Sequence, residues 1–330
     1  MRPIIVLMAV LVLMSGCAAR KKAALEALNP KPAWVDATPR EAGYYQAVGV
    51  ARKWGSMQNY QSEARNHALS QMAGQVNAAI SSTSILSQVE DRHGVSEILI
   101  NNIRSKSEEF LEGYEMMGKW EDEVNYYEYY RLSKQKFAAI KEQRKRDALQ
   151  KAVFRFREAE RMEQEGQYAQ ALSLHAGVLD LLGNYLGESS LLVDSVGDFD
   201  PAVASLQHIA QLVKDMVVVC SSGNVETTPG GVVAEDRLAF VVSDGHQRWQ
   251  PNIPVRFTYS GGYLRKDKAV SNGNGQVAGS VHQPGNVGKY LFCAQVDTRT
   301  FFQLATKNLL VRKLLDSVEG NKGCVNVLVK

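Results

Sequence analysis

Cys17 is the residue of this chain best placed to do chemistry. It closes the run Leu13-Met14-Ser15-Gly16-Cys17, after an apolar stretch from Ile4 to Met14 and a positive charge at Arg2. Charge, short apolar core, small residues and cysteine are the layout of a bacterial lipoprotein signal peptide. Ser15 and Gly16 are small enough for a narrow peptidase site to grip the backbone. The Cys17 thiol can then carry a diacylglycerol as a thioether, and cleavage before it frees an amino group for an N-acyl chain. The apolar stretch falls short of the about 20 residues that a membrane-spanning helix needs. Ala18 follows the cysteine, not the aspartate that commonly retains such proteins in the inner membrane. The expectation is a chain anchored by lipid to the outer membrane and facing mainly the periplasm.

Little else in the sequence has the spacing of a reactive centre. The six histidines (His67, His93, His175, His208, His246 and His282) are scattered, with no HxxxH or HExxH pair to chelate zinc. No GxSxG elbow exposes a nucleophile. Gly273 and Gly275 lie in an Asn-Gly hairpin, where they permit positive φ, and no helix follows to meet a phosphate. Asp194, Asp198 and Asp200 lack the glycine and terminal glutamate of an EF-hand loop. The expectation is no catalytic site, no metal and no cofactor beyond the lipid on Cys17. Cys220, Cys293 and Cys324 are left for the body of the protein. In an oxidising periplasm one pair can close, and the sequence does not choose it.

The formal charge of +3 is nearly balanced, which argues against a polyanion binder and against nucleic acid as a partner. The basic run from Lys134 to Arg146 reads as a solvated helix face, or as a contact for anionic lipid or cell wall. Tyr126, Tyr127, Tyr129 and Tyr130 fall on both parities of one strand. One face must be core, and the other offers an oligomer or partner surface, so these four are the candidate interface residues.

The elements that must carry these residues follow from periodicity and turn chemistry. Residues 1–16 are the signal and 17–31 a tether, with basic residues at Arg20, Lys21 and Lys22. Tyr44 to Ala51 reads as a strand. Ser56 to Ser81 reads as an amphipathic helix, with Tyr60, Ala64, Ala68, Leu69, Met72, Val76 and Ile80 on one stripe and Arg65, Gln71 and Gln75 toward water. The segment 84–105 stays ambiguous between helix and strand. Leu111 to Lys119 and Glu123 to Leu132 form two strands around a turn near Glu121-Asp122. Together these make a helix packed on an antiparallel sheet over residues 32–133. Residues 134–186 read as a helical hairpin broken at Gly166-Gln167. Gly166-x-Tyr168-x-x-Ala171-Leu172 is similar to the turn of a tetratricopeptide repeat, as a single unit where a solenoid needs about three. Residues 187–231 hold a helix from Pro201 and a short strand at Met216 to Cys220. Residues 232–330 alternate short strands with Gly- and Pro-rich turns, the mark of a β-sandwich, interrupted by a helical insertion from Gln303 to Asp316.

Two stretches resemble known families. Trp34-Val35, Tyr45-x-x-Val48-Gly49-Val50-Ala51, the Ala64/Ala68 helix and Tyr129-Tyr130-Arg131-Leu132 resemble the LPP-twenty lipoprotein domain over about residues 30–140. Similar domains occur in outer-membrane lipoproteins and in periplasmic ring proteins around bacterial flagella. The resemblance implies a non-catalytic envelope protein that assembles with itself or with other envelope proteins. The long extension after residue 140 departs from the minimal family. Asn252-Ile253-Pro254-Val255-Arg256-Phe257 and Asn274-Gly275-Gln276-Val277-Ala278 resemble a bacterial Ig-like domain, which implies a spacer or adhesion module. The reading is therefore an α+β protein: an N-terminal helix-on-sheet domain, a central helical hairpin and a C-terminal Ig-like β-sandwich. Its expected role is a membrane-anchored structural, assembly or protein-binding component of the envelope. The alternatives are an accessory subunit of a secretion or flagellar machine and, behind it, an enzyme acting on the cell wall.

Overall fold

A computed structural model describes residues 29–81, 111–186 and 199–330. Cys17, the tether up to residue 28, the ambiguous segment 84–105, Asp194 and Asp198 lie outside the described residues. The fold is mixed α+β and divides into two compact units, Met1–Thr83 with Arg104–Lys141, and Ser84–Ile103 with Glu142–Lys330.

In the first unit a short helix α1 (Ala33–Asp36) precedes β1 (Tyr44–Arg52) and the long helix α2 (Met57–Ser81), followed by β2 (Glu115–Glu121) and β3 (Asn125–Ser133). The sheet is antiparallel, in the order β1-β3-β2. Asp122 makes the β2–β3 turn by accepting from the backbone N–H groups of Val124 (2.8 Å) and Asn125 (2.6 Å). α2 lies on the sheet through Ala64, Ala68, Met72, Ala73 and Val76, all buried. The approach is close because Gly49 has no side chain. A Cβ at Gly49 would stand 1.7 Å from the Ala64 carbonyl oxygen and 2.9 Å from the Ala68 nitrogen.

β1 is an edge strand, so its outer backbone groups need partners. α2 supplies some of them. Gln75 Nε2 donates to the Gln46 carbonyl (2.6 Å) and Gln75 Oε1 accepts from Gln46 N (3.2 Å). His67 Nδ1 sits 3.2 Å from Val50 N. Gln75 is solvent-exposed, as its place on the helix predicts, and its amide also reaches the unpaired backbone of the strand edge.

The second unit begins within α3 (Lys134–Gln164) and continues through α4 (Tyr168–Leu182) and α5 (Pro201–Asp215). Asp200, compared above with an EF-hand loop, is the N-cap of α5, accepting from Ala202 N and Val203 N, with Pro201 in the first turn. Lys145, read as part of a solvated basic face, is buried, because α3 turns this side inward.

Two sheets follow. One has the order β4-β6-β9 (Val217–Cys220, Ala239–Ser243, Gln276–Ala278). The other has the order β5-β11-β10-β7-β8 (Val225–Thr227, Lys322–Val329, Gly288–Val296, Pro254–Tyr259, Lys268–Val270). β5 and β8 are too short to show a period in the sequence. β5 joins β11 in parallel, and the other named pairings are antiparallel. The sheets meet through Phe240, Phe257 and Phe292, whose ring centroids are 5.4 to 6.4 Å apart. The insertion between β10 and β11 is two helices, α6 (Thr298–Ala305) and α7 (Leu309–Leu315). Of the two hairpin glycines named above, Gly275 takes the positive φ (68°) and Gly273 does not.

Helices and strands of this unit share one core, which runs from Phe156, Leu172 and Leu179 to Phe240, Val255 and Val327. Cys293 and Cys324 stand directly opposite each other on β10 and β11 and form a disulfide, and Cys220 is free.

Two outcomes are expected from this packing. Gly49→Ala forces α2 off the sheet and costs about 3 kcal/mol, the upper end for overpacking because backbone has no side chain to yield, which urea unfolding would read. Replacing Cys293 and Cys324 together by alanine lowers unfolding free energy by about 2–4 kcal/mol, measured against the oxidised chain under the same conditions.

Candidate functional site

The site is assembled where α3 ends. A helix leaves its last four carbonyls without intrahelical partners. Here all four are satisfied. Arg161 O accepts from Glu165 N, Glu163 O from Gly166 N, Met162 O from Gln167 N, and Gln164 O from the Arg248 guanidinium at 3.1 Å. The pairs Gly166–Glu163 and Gln167–Met162 are a Schellman ending, which requires a left-handed residue at Gly166, and its φ is 75°. Gln250, fully buried, closes the turn from the other side. Its Nε2 donates to the Gly166 carbonyl (3.1 Å), and its Oε1 accepts from Tyr168 N (3.2 Å), the first residue of α4. Tyr168, Ala171 and Leu172 of the repeat-like turn are all buried.

This ending places Glu163 in the last turn of α3 with its side chain toward α4 and α5. Its Oε1 lies 2.6 Å from His175 Nε2 on α4 and 2.9 Å from His208 Nδ1 on α5. His175 is fully buried, and its other ring nitrogen, Nδ1, meets Ser205 Oγ at 3.2 Å. Ser205 and His208 lie three apart on α5 and so share a face. The two imidazole centroids are 5.1 Å apart, and Phe156 stands edge-on to both at 5.2 Å. Burial alone would raise the Glu163 pKa, but hydrogen bonds from both imidazoles hold it below the usual carboxylate value.

Glu163 and His208 open onto a cleft of about 930 Å³, lined also by Tyr168, Gln211, Asp215, His246 and Arg248. His175 stands behind them, out of solvent. One wall is the loop between β6 and β7, and Asp244 shapes it. Its buried carboxylate accepts from His246 N (2.9 Å), Arg248 N (2.8 Å) and Arg248 Nε (2.6 Å). Burial would raise its pKa, but these donors outweigh that and hold it below the usual carboxylate value. The same Arg248 reaches the end of α3, so loop and helix ending form one hydrogen-bonded unit. Such a cleft suits a polar ligand, and Glu163, His175 and His208 are the described residues grouped closely enough to hold a metal ion.

The residues singled out in the sequence lie elsewhere. Cys17 is outside the described residues. Of the four tyrosines, Tyr126 and Tyr130 are buried under α2 and Tyr129 is buried on the other face of β3, stacked on Trp34 at 5.7 Å. These three are corrected as interface candidates, because the chain's own side chains already cover them. Tyr127 is half-buried against Trp120. Between Tyr126 and Tyr130 lies a buried carboxylate, Glu128, accepting from both hydroxyls (2.9 and 2.6 Å). Burial and the hydrogen bond to Glu128 push the Tyr130 pKa up to about 12.

The reading of the histidines as scattered is also corrected. His175 and His208 meet at one carboxylate oxygen, from positions 12 and 45 residues away. No spacing rule contains such a set. The one available signal was a histidine inside the apolar run Ala171-Leu172-Ser173-Leu174-His175-Ala176-Gly177-Val178-Leu179, where burial demands a partner.

No family model matches the chain, and no curated protein and no solved structure matches it either.

Asp244 has a folded pKa below its unfolded value of about 3.9, so its stabilisation is complete above that pH and is lost as acid titrates the folded carboxylate. Asp244→Asn is therefore expected to lower stability at pH 7 by about 1.5–3 kcal/mol, the range for hydrogen bonds to a charged group. The gap between variant and parent should shrink below about pH 4, read by urea unfolding across pH 3–7.

Proposed function

We propose that this protein is a lipid-anchored component of the bacterial envelope, held in the outer membrane through Cys17 and acting by binding and assembly in the periplasm. The run Leu13-Met14-Ser15-Gly16-Cys17 supports the anchor. The structural observation that carries the reading is the Cys293–Cys324 bridge. Disulfides persist in oxidising compartments and are rare in the cytosol. A chain exported behind a lipid signal arrives in such a compartment. Among the described residues no helix is long and apolar enough to cross a membrane.

Each unit supports a part of this reading. The first joins the features of the LPP-twenty resemblance physically. Gly49 of the Val48-Gly49-Val50-Ala51 motif receives Ala64 and Ala68 of the helix, and Trp34 covers Tyr129. In the second, two sheets facing across a phenylalanine cluster support an Ig-like sandwich. The parallel β5–β11 pair and the inserted α6 and α7 depart from a simple one. The partners are the bilayer, through lipid on Cys17, and other envelope proteins or further copies of this chain.

The test is fractionation of cells labelled with radioactive palmitate. The parent chain should carry label and sediment with outer membranes, and Cys17→Ala should lose both properties. A parent chain that is unlabelled and soluble overturns the reading.

A further inference from the structure

We propose that Glu163, His175 and His208 form a binding site for a divalent transition-metal ion of the zinc class, open on one side to the polar cleft. The donor set is the first reason. Two imidazole nitrogens and a carboxylate oxygen suit zinc, and three protein ligands with one open position describe its reactive sites. Convergence is the second. His175 Nε2 and His208 Nδ1 both aim at the same oxygen, Glu163 Oε1, at 2.6 and 2.9 Å, and the three donor atoms lie within 4.8 Å of one another. Around a tetrahedral zinc, donor atoms stand about 3.3 Å apart, given metal–ligand bonds near 2.0–2.1 Å. The two imidazole–carboxylate separations, 2.6 and 2.9 Å, each need to open by less than about 1 Å to reach that spacing.

The surroundings are those of a metal site as well. A ligating histidine ordinarily donates its second N–H to an oxygen acceptor, which sets tautomer and ring plane. Ser205 Oγ is in place for this at His175 Nδ1. A metal-bound His175 would carry its single ring proton on Nδ1, where Ser205 Oγ accepts the hydrogen bond, leaving the Nε2 lone pair for the ion. Phe156 walls both rings, and Phe199 packs on Phe156 at 5.1 Å. Glu163 and His208 both line the cleft, so the fourth position faces its solvent and whatever polar ligand it admits. Zinc binding by these three residues does not depend on whether Cys17 carries lipid.

The experiment is a Zn²⁺ titration of the tag-free chain, stripped with chelator, against a competing chromophoric chelator. Co²⁺ absorption serves as the second readout. One equivalent of zinc is expected to bind, and Co²⁺ should show the intense d–d bands of a four-coordinate site. Glu163→Gln and His208→Ala should each weaken zinc binding by at least about 100-fold and abolish the Co²⁺ bands, since each removes a ligand. Ser205→Ala should weaken binding about 10-fold, as loss of an outer partner does. His282→Ala, outside the cluster, should leave affinity unchanged. Circular dichroism identifies variants that stay folded. His208 is partly exposed and Glu163→Gln is close to isosteric, so at least one informative variant is available. Absence of stoichiometric zinc binding by the parent chain overturns the proposal. So does affinity that is unchanged in folded Glu163→Gln or His208→Ala.

Discussion

The second unit depends on the hydrogen-bond demand of one helix end. α3 ends at Gln164, and its last four carbonyls have no partner within the helix. Each of them accepts from a protein donor. Two are met by the left-handed turn at Gly166, one by Glu165, and one by Arg248. Gln250 then ties Gly166 to the first N–H of α4. Because the donors Arg248 and Gln250 come from the loop before β7, satisfying the helix end also docks helices on sheets.

The site inherits its geometry from that arrangement. Glu163 stands in the last turn, so the ending at Gly166 sets where its carboxylate points. α4 is mostly buried, and it carries His175 with no solvent to answer its ring nitrogens. Both nitrogens are answered by protein, one by Glu163 and one by Ser205. His208 completes the group from the adjacent turn of α5.

The first unit solves a different problem. A helix crosses an edge strand closely enough that only glycine fits at position 49. The same closeness lets Gln75 and His67 reach the strand's outer backbone groups. β3 carries tyrosines on both faces, and Tyr126, Tyr129 and Tyr130 are packed within the unit. On the helix side they enclose Glu128, and on the other side Trp34 covers Tyr129.

By itself the sequence determined the elements that have a long period or a strong stop. The helices at 57–81, 134–164, 168–182 and 201–215 and the strands at 44–52, 254–259 and 288–296 follow from spacing and turn residues, because local sterics and amphipathicity act over neighbouring positions. The Gly166 break is local in the same sense, and so is the pattern of charge, apolar run, small residues and cysteine that ends at Cys17. β5 and β8 are three residues each and have no period to read; pairing with distant strands makes them. The choice of Cys293 with Cys324 came from strand register. Glu163, His175 and His208 were beyond any local rule, since three helices must pack before their side chains meet. Only the tertiary structure decided that, because contact between distant residues depends on how helices satisfy their ends and bury their faces, and neither is written in the spacing of the residues themselves.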